Sequence, residues 1–323
     1  HEWSRLANLL LQTSPNIVTG DYSDFGPRLA AQIVRAAFRI IIRWYKHWGM
    51  RDPTRIRKLE VLCEEICMSY HIMFDFIYQV MCGGPSGSPL TVIINTLANM
   101  LYIRYAWMKM FPMSDAKEYK SKVKAKFYGD DMIMSVHESV IESFNCLTLS
   151  NLFKEYDIIF TDASKTGTEK YTTLEQATFL KSGFLRHPKY EFEWLSPLEK
   201  TSIYECAQWI WKSRDNVAAT LENAEQSLRL AYGHGPDFFK WWKKCLNRAL
   251  CKMRMRALSL TWDHIDQQFF TGFEGTLVLC SRFDDGLGLN KFCGPVASRL
   301  KGEVRETLTR EAIGEFLMGE SSG

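Results

Sequence analysis

Residues 127–136 read FYGDDMIMSV, with two adjacent carboxylates, Asp130 and Asp131, set between apolar runs. Aspartate is a poor strand residue, and two in succession repel each other. Two readings account for the pair. Gly129 and Asp130 suit the tip of a β-hairpin, because both tolerate the backbone angles a tight turn needs. The same pair also suits a divalent-cation site, and the residues around it weigh on that choice. Upstream, in KVKAKFYGDDMIMSV (122–136), Val123, Ala125 and Phe127 alternate with lysines, which predicts two strands joined by a tight turn. Further upstream, NIVTGDYS (16–23) predicts a strand that ends in acid at Asp21. If these strands lie side by side, the carboxylates of Asp21 and Asp130 converge. Two hard cations about 4 Å apart need such oxygens to hold the attacking and leaving groups of a phosphoryl displacement.

The remaining segments are placed around that hairpin. Small and apolar residues recur at helical spacing from Pro27 to about Lys46, and a mixed, mostly helical region follows to about Val80. CGGPSGSP (82–89) is a glycine-rich loop feeding a long helix to about 107, with Ser88 as N-cap and Pro89 as first helical residue. On that helix Thr91 and Asn95 are four apart and share a face, where hydroxyl and amide can bond a sugar; Ser86 and Gly87 precede it. A helix is expected over about 138–155, then a strand and turn in DIIFTDASKTG (157–167), where Lys165 can donate a proton to a departing pyrophosphate. Residues 177–197 read as a β-hairpin, and the chain is predominantly helical from 198 to about 272. Intermixed strands and helices followed by helices alone predict an α+β domain with an all-α domain after it.

Bulk properties exclude little but bound the answer. At 323 residues, roughly two domains are expected. The 46% hydrophobic and 24% charged composition is that of a globular chain. The longest apolar runs are broken by Arg39 and Arg43, or by Asn95 and Asn99, so neither a membrane span nor a signal peptide is predicted. Nine cysteines without a CxxC pair indicate reduced thiols rather than a disulfide framework or zinc ribbon. Cys63, Cys67 and His71, spaced by four, offer three metal-type ligands on one helix face, with core packing the preferred reading. Trp44, Trp48, Trp209 and Trp211 read as packing residues. A net charge of +3 does not mark a nucleic-acid binder, but KEYKSKVKAKF (117–127) and KWWKKCLNRALCKMRMR (240–256) concentrate positive charge, the second interleaved with Trp241 and Trp242.

Taken in order, DYSDFG (21–26), SGSPLTVIIN (86–95), YGDD (128–131), ASK (163–165) and FLKS (179–182) resemble motifs A to E of the palm of RNA-dependent RNA polymerases from positive-strand RNA viruses. The wording is most similar to picorna-like viruses of the dicistrovirus and iflavirus type. The resemblance implies a palm over residues 1–197, an antiparallel sheet with flanking helices and a partial fingers insertion at about 46–84. A mostly helical thumb and tail would follow over 198–323. It implies that Asp21 and Asp130 bind two magnesium ions, for which manganese can substitute, with Asp131 as a nearby third acid and Lys165 as general acid. Ser86, Thr91 and Asn95 would sense the 2′-hydroxyl of a ribonucleoside triphosphate, and Gly87 would let the loop move. Tyr128, Gly129 and Phe179, Leu180 and Lys181 would border the RNA, while Lys240, Lys243 and Lys244 would lie against its backbone.

The implied partners are template and product RNA, nucleotides and a small viral protein primer, in replication complexes on host cytoplasmic membranes. Three departures accompany the resemblance. Gly26 replaces the second motif-A aspartate, so that Asn95 lacks its usual partner unless Asp24 stands in through a sharp turn. Ser182 stands where motif E usually carries arginine. Motif A begins only about twenty residues into the sequence, so the N-terminal fingers of a larger polyprotein are expected outside it, and this part by itself is expected to be an incomplete polymerase. A reverse transcriptase and a non-catalytic RNA-binding module are the alternatives; the ribose-sensing SGSPLTVIIN loop opposes the first, and retention of Asp21, Asp130 and Lys165 opposes the second.

Overall fold

The structure, a computed structural model, describes residues 2–84, 87–163, 165, 167–210 and 213–271. Ser86, Trp211 and the final fifty residues lie outside them. The chain divides into two compact units, His1–Glu199 and Lys200–Gly323. The first unit is α+β. Its elements are α1 (Glu2–Leu11), β1 (Ile17–Tyr22), α2 (Phe25–Arg28), α3 (Ala31–His47), α4 (Pro53–Cys67), β2 (Tyr70–Met73), β3 (Phe76–Gln79) and α5 (Thr91–Met110). There follow α6 (Ala116–Lys122), β4 (Val123–Tyr128), β5 (Asp131–Val136), α7 (Cys146–Lys154), β6 (Phe160–Asp162), β7 (Leu185–Arg186) and β8 (Trp194–Leu195).

A four-stranded sheet in the order β4-β5-β1-β6 organises this unit, and every neighbouring pair is antiparallel. β1 and β5 are buried almost throughout instead of alternating, because both sheet faces are covered. Val18, Tyr22, Met132, Met134 and Phe160 join the core built with α3, α5 and α7. Ile17 and Ile133 point the other way, into a second core with Ala7 and Leu10 of α1 and with Phe179, Phe184 and Trp194. The Phe160 ring of β6 lies directly over Gly20 of β1, where a Cβ would stand 2.0 Å from it.

Four expectations are corrected. The helix expected from Pro27 is broken: α2 ends at Arg28 and α3 starts at Ala31. The break leaves carbonyls that the glycine-rich segment uses, since Gly83 N–H donates to Leu29 O (2.6 Å) and Gly84 N–H to Gly26 O (3.2 Å). Gly83 has φ +84°, and a Cβ there would meet two backbone oxygens at 3.0 Å. The 46–80 region ends in a β2–β3 hairpin, not a helix. Its apolar run YHIMFDFIYQ has no period that separates strand from helix, and most of its side chains are exposed, Phe74 at 92%. The helix expected over 138–155 begins only at Cys146, because Asn145 caps it with a full capping box. Finally, α5 starts at Thr91 rather than Pro89, and Ser88 Oγ accepts from Leu90 N–H (3.3 Å) within the preceding turn.

Two further sequence readings change with these. Cys63 and Cys67 lie buried in the core on α4, but His71 falls beyond that helix on β2, where its ring bonds Ser69 (2.8 Å), so the three do not share a face. Trp44, Trp48 and Trp209 are 55%, 70% and 75% exposed and lie outside the core, with Trp44 and Trp48 touching only each other and their neighbours Tyr45 and His47 among the described aromatic rings.

The second unit is helical: α8 (Lys200–Cys206), α9 (Asn216–Leu230), a 3₁₀ turn (Ala231–His234), α10 (Pro236–Lys252) and α11 (Trp262–Thr271). Gly235, at φ +84°, turns the chain into α10, whose first residue Pro236 has no N–H to leave unpaired. Buried polar bonds tie its helices together, among them Ser227 Oγ to Ile203 O (2.6 Å) and Trp262 Nε1 to Tyr232 O (3.1 Å). No helix among the described residues is long and apolar enough to cross a membrane.

Candidate active site

FYGDDMIMSV forms the tip of a β-hairpin, as the turn reading expects. Tyr128 and Asp131 form the last pair of the β4–β5 ladder, and Gly129 and Asp130 make the turn between them, with Gly129 at φ +63°. β1 lies on the other side of β5, with Gly20 opposite Met132. One step further along this antiparallel register sets Asp21 against Asp131, with Asp130 beside them at the turn. The three acidic residues therefore lie at the same end of the central strands. Burial raises the Asp131 carboxyl above the ordinary carboxylate range; the negative charges of Asp130 and then Asp21 add to that, and Lys181 opposes them.

Lys165 reaches the same place from β6. Its Nζ is 3.0 Å from Asp21 Oδ2. The turn that carries it is built by Asp162, a buried residue at the end of β6. The Asp162 backbone oxygen accepts from Lys165 N–H (2.9 Å), and its carboxylate accepts from Gly167 N–H. Lys165 itself has φ +57°, a left-handed conformation that is uncommon outside glycine. Lys181 sits in a comparable turn: Phe179 and Ser182 exchange backbone bonds (2.9 and 3.0 Å), and the two residues between, Leu180 and Lys181, have φ +54° and +58°. Two consecutive non-glycine residues in that region carry backbone strain, which concentrates at functional sites.

The helix α5 touches the hairpin directly. Asn99, fully buried, donates from Nδ2 to the backbone oxygens of Asp130 (2.7 Å) and Gly129 (3.3 Å), and its Oδ1 accepts from Tyr22 OH (3.1 Å). Thr96 Oγ1 accepts from Gly129 N–H (2.8 Å). No motif marks Asn99, Thr96 or Asp162 as part of the site. An asparagine in the apolar helix run TVIINTLANML was the available signal, because such a residue is buried only with partners.

The other predicted residues are distributed as follows. Thr91 begins α5, and Asn95 stands one turn on, its Oδ1 about 4.0 Å from where a Gly84 Cβ would be. Gly87 has φ +88° with open space around it. The chain does turn sharply at Asp24 (φ 55°), but the carboxylate is exposed and faces Arg28 (3.9 Å) rather than Asn95. Tyr128 is exposed at the hairpin. In the second unit, Lys240 and Lys244 of α10 are exposed, whereas Lys243 is half-buried and donates to Ser259 O (3.1 Å). Trp241 is half-exposed and stacks on Trp242 (5.9 Å). Among the described residues, no three His, Cys, Asp or Glu side chains are gathered tightly enough to hold a metal as they stand, and Asp21 is met by Lys165 instead.

Comparison with known proteins agrees with this architecture. The chain is 39% identical over 271 residues to the genome polyprotein of Deformed wing virus, covering 82% of the chain and 9% of that protein. It is 30% identical over 247 residues to the replicase polyprotein of Drosophila C virus, covering 73% of the chain and 14% of that protein. It thus spans about a tenth of the length of the curated relatives it matches. The fold is that of the Sicinivirus 3Dpol RNA-dependent RNA polymerase, with a TM-score of 0.66 at 16% identity over 84% of this chain and 54% of that one. The model of the viral RNA-dependent RNA polymerase family matches residues 1–248, and the chain belongs to that family.

Proposed function

We propose that this chain performs RNA-templated RNA synthesis in viral genome replication, as the palm and thumb of a larger polymerase. The observation that carries the reading is the convergence of Asp21, Asp130 and Asp131 at one sheet end with Lys165 3.0 Å from Asp21. The donor set suits divalent cations: all its groups are hard carboxylate oxygens, and their mutual repulsion, felt at Asp131, is what a cation relieves. Asp21 and Asp130, with Asp131 beside them, would hold magnesium or manganese, which when bound polarises the phosphoryl group and steadies the attacking and leaving oxygens. Lys165 donates the proton taken by the departing pyrophosphate. Ser86, Thr91 and Asn95 bond the ribose hydroxyls of the incoming triphosphate, Gly87 gives their loop room to close, and Asp24 is available to Asn95 once it leaves Arg28. Tyr128, Gly129 and Phe179 to Lys181 border the growing strand, and Lys240, Lys243 and Lys244 contact phosphates without reading sequence. A small viral protein serves as primer, in host cytoplasm on remodelled membranes.

Primer extension by the polymerase that contains this chain tests the reading. Ribonucleotides should be incorporated, and Asp130→Ala should lower the rate at least ~100-fold, since a bound metal supplies several kcal/mol at the transition state. Preference for deoxyribonucleotides would point to a reverse transcriptase. An undiminished rate in the variant would remove Asp130 from the site.

A further inference from the structure

We propose that Asn99, with Tyr22, is a positioning residue that fixes the separation of the Asp21 and Asp130 carboxylates and so sets the cation affinity of the site. The inference rests on the polymerase reading above. Tyr22 directly follows Asp21 on β1, and its hydroxyl donates to Asn99 Oδ1 (3.1 Å). The amide of the same side chain donates to the backbone oxygen of Asp130 itself (2.7 Å). One buried side chain thus connects the residue beside the first carboxylate to the residue bearing the second. A hairpin turn of two residues ordinarily shows its peptide groups to water. Here both backbone oxygens of the turn, and the Gly129 N–H through Thr96, are instead tied to α5.

The cost of burying the Asn99 amide is met only because both its ends are bonded. An apolar residue would fill the same space for packing alone, so packing does not account for an asparagine there. Thr91, Asn95 and Asn99 are also spaced by four and form one row along α5. The row that would contact the sugar therefore ends on the hairpin that would hold the metal.

The test compares Tyr22→Phe, Thr96→Val and Asn99→Leu in the polymerase that contains this chain. Mn²⁺ binding is measured by the electron-spin resonance of free Mn²⁺, without RNA or nucleotide, alongside the melting temperature without metal and the Mn²⁺ concentration for half-maximal primer extension. Tyr22→Phe keeps the ring, which packs on Phe25 and Phe160 at 4.7 and 4.8 Å, and removes only the hydroxyl. It should weaken Mn²⁺ binding by about 3- to 10-fold, the range of one lost hydrogen bond, and raise the half-maximal Mn²⁺ for extension in step, with the rate recovered at high Mn²⁺. Asn99→Leu should weaken it further. If the parent binds Mn²⁺ and Tyr22→Phe and Thr96→Val bind it equally well, whatever their melting temperatures, this inference is overturned and the metal reading survives. If the parent binds none and Asp130→Asn is indistinguishable from it, both fall together.

Discussion

Replacing Gly20 by alanine is the sharpest probe of how the site is assembled. Gly20 immediately precedes Asp21 and pairs with Met132 on one side and Asp162 on the other. A methyl group built there lies 2.0, 2.4 and 2.8 Å from three atoms of the Phe160 ring. Ordinary contact begins at 3.4 Å, so the ring would have to retreat by about 1.4 Å. It has nowhere to go: Phe160 is buried, with Tyr22 and Phe153 rings centred 4.8 and 5.5 Å from it. Overpacking of this kind costs about 1–3 kcal/mol, and a clash against a fully enclosed ring belongs at the upper end. For a unit of this size that corresponds to a fall of roughly 6–12 °C in melting temperature. Phe160→Leu removes the clashing edge, so the double variant should be more stable than the sum of the two single losses by about 1 kcal/mol or more. Thermal melts of the parent, the two single variants and the double variant give the answer. A Gly20→Ala chain that melts within 1 °C of the parent, or strictly additive losses, would refute the reading that the Phe160 ring fills the space over Gly20.

Other outcomes follow from the same region. Lys165→Met removes the cation that competes for Asp21; because the pair is exposed and worth at most ~1 kcal/mol, Mn²⁺ should bind up to ~5-fold more tightly by titration, even as primer extension slows. Asp131 has a raised carboxyl in the folded chain, so its contribution to stability is complete below the ordinary value of 3.8 and is lost as pH rises through the folded value. Melts from about pH 4 to pH 8 should therefore show Asp131→Asn at least as stable as the parent at the upper end, and parent Mn²⁺ affinity should fall as the pH is lowered and protons compete. Asn145→Ala removes the cap of α7 and the donor to Ile141 O (2.8 Å) in a buried position, and should cost about 2–3 kcal/mol by denaturant unfolding.

Much of the sheet was legible because its signals are local. The lysine alternation of β4 and the glycine-aspartate turn each need only a few residues to read, and the strand at 17–22 carries Asp21 one residue before its end, close to where its pattern predicts. The 27–46 helix was misjudged because its break serves residues more than fifty positions away, Gly83 and Gly84, which no periodicity reveals. The β2–β3 hairpin was missed because hydrophobic residues at nearly every position carry neither period. At the site, Asp21, Asp130 and Lys165 stood out through residue type and motif. Asn99 and Asp162 did not: their importance lies in backbone groups they satisfy across the fold, which the linear order conceals. The tryptophans misled for the opposite reason, since size alone says nothing about whether a neighbour exists to cover it.

The bare hairpin of β2 and β3 has a practical outcome. With Tyr70, Ile72, Phe74, Phe76 and Ile77 all turned to solvent and only two strands to share them, its edges present ready partners for another copy. Solutions of the isolated polypeptide will thus clump as they are concentrated. Exchanging Ile72 and Phe74 for lysine should keep such preparations monodisperse while leaving the carboxylate end of the sheet untouched.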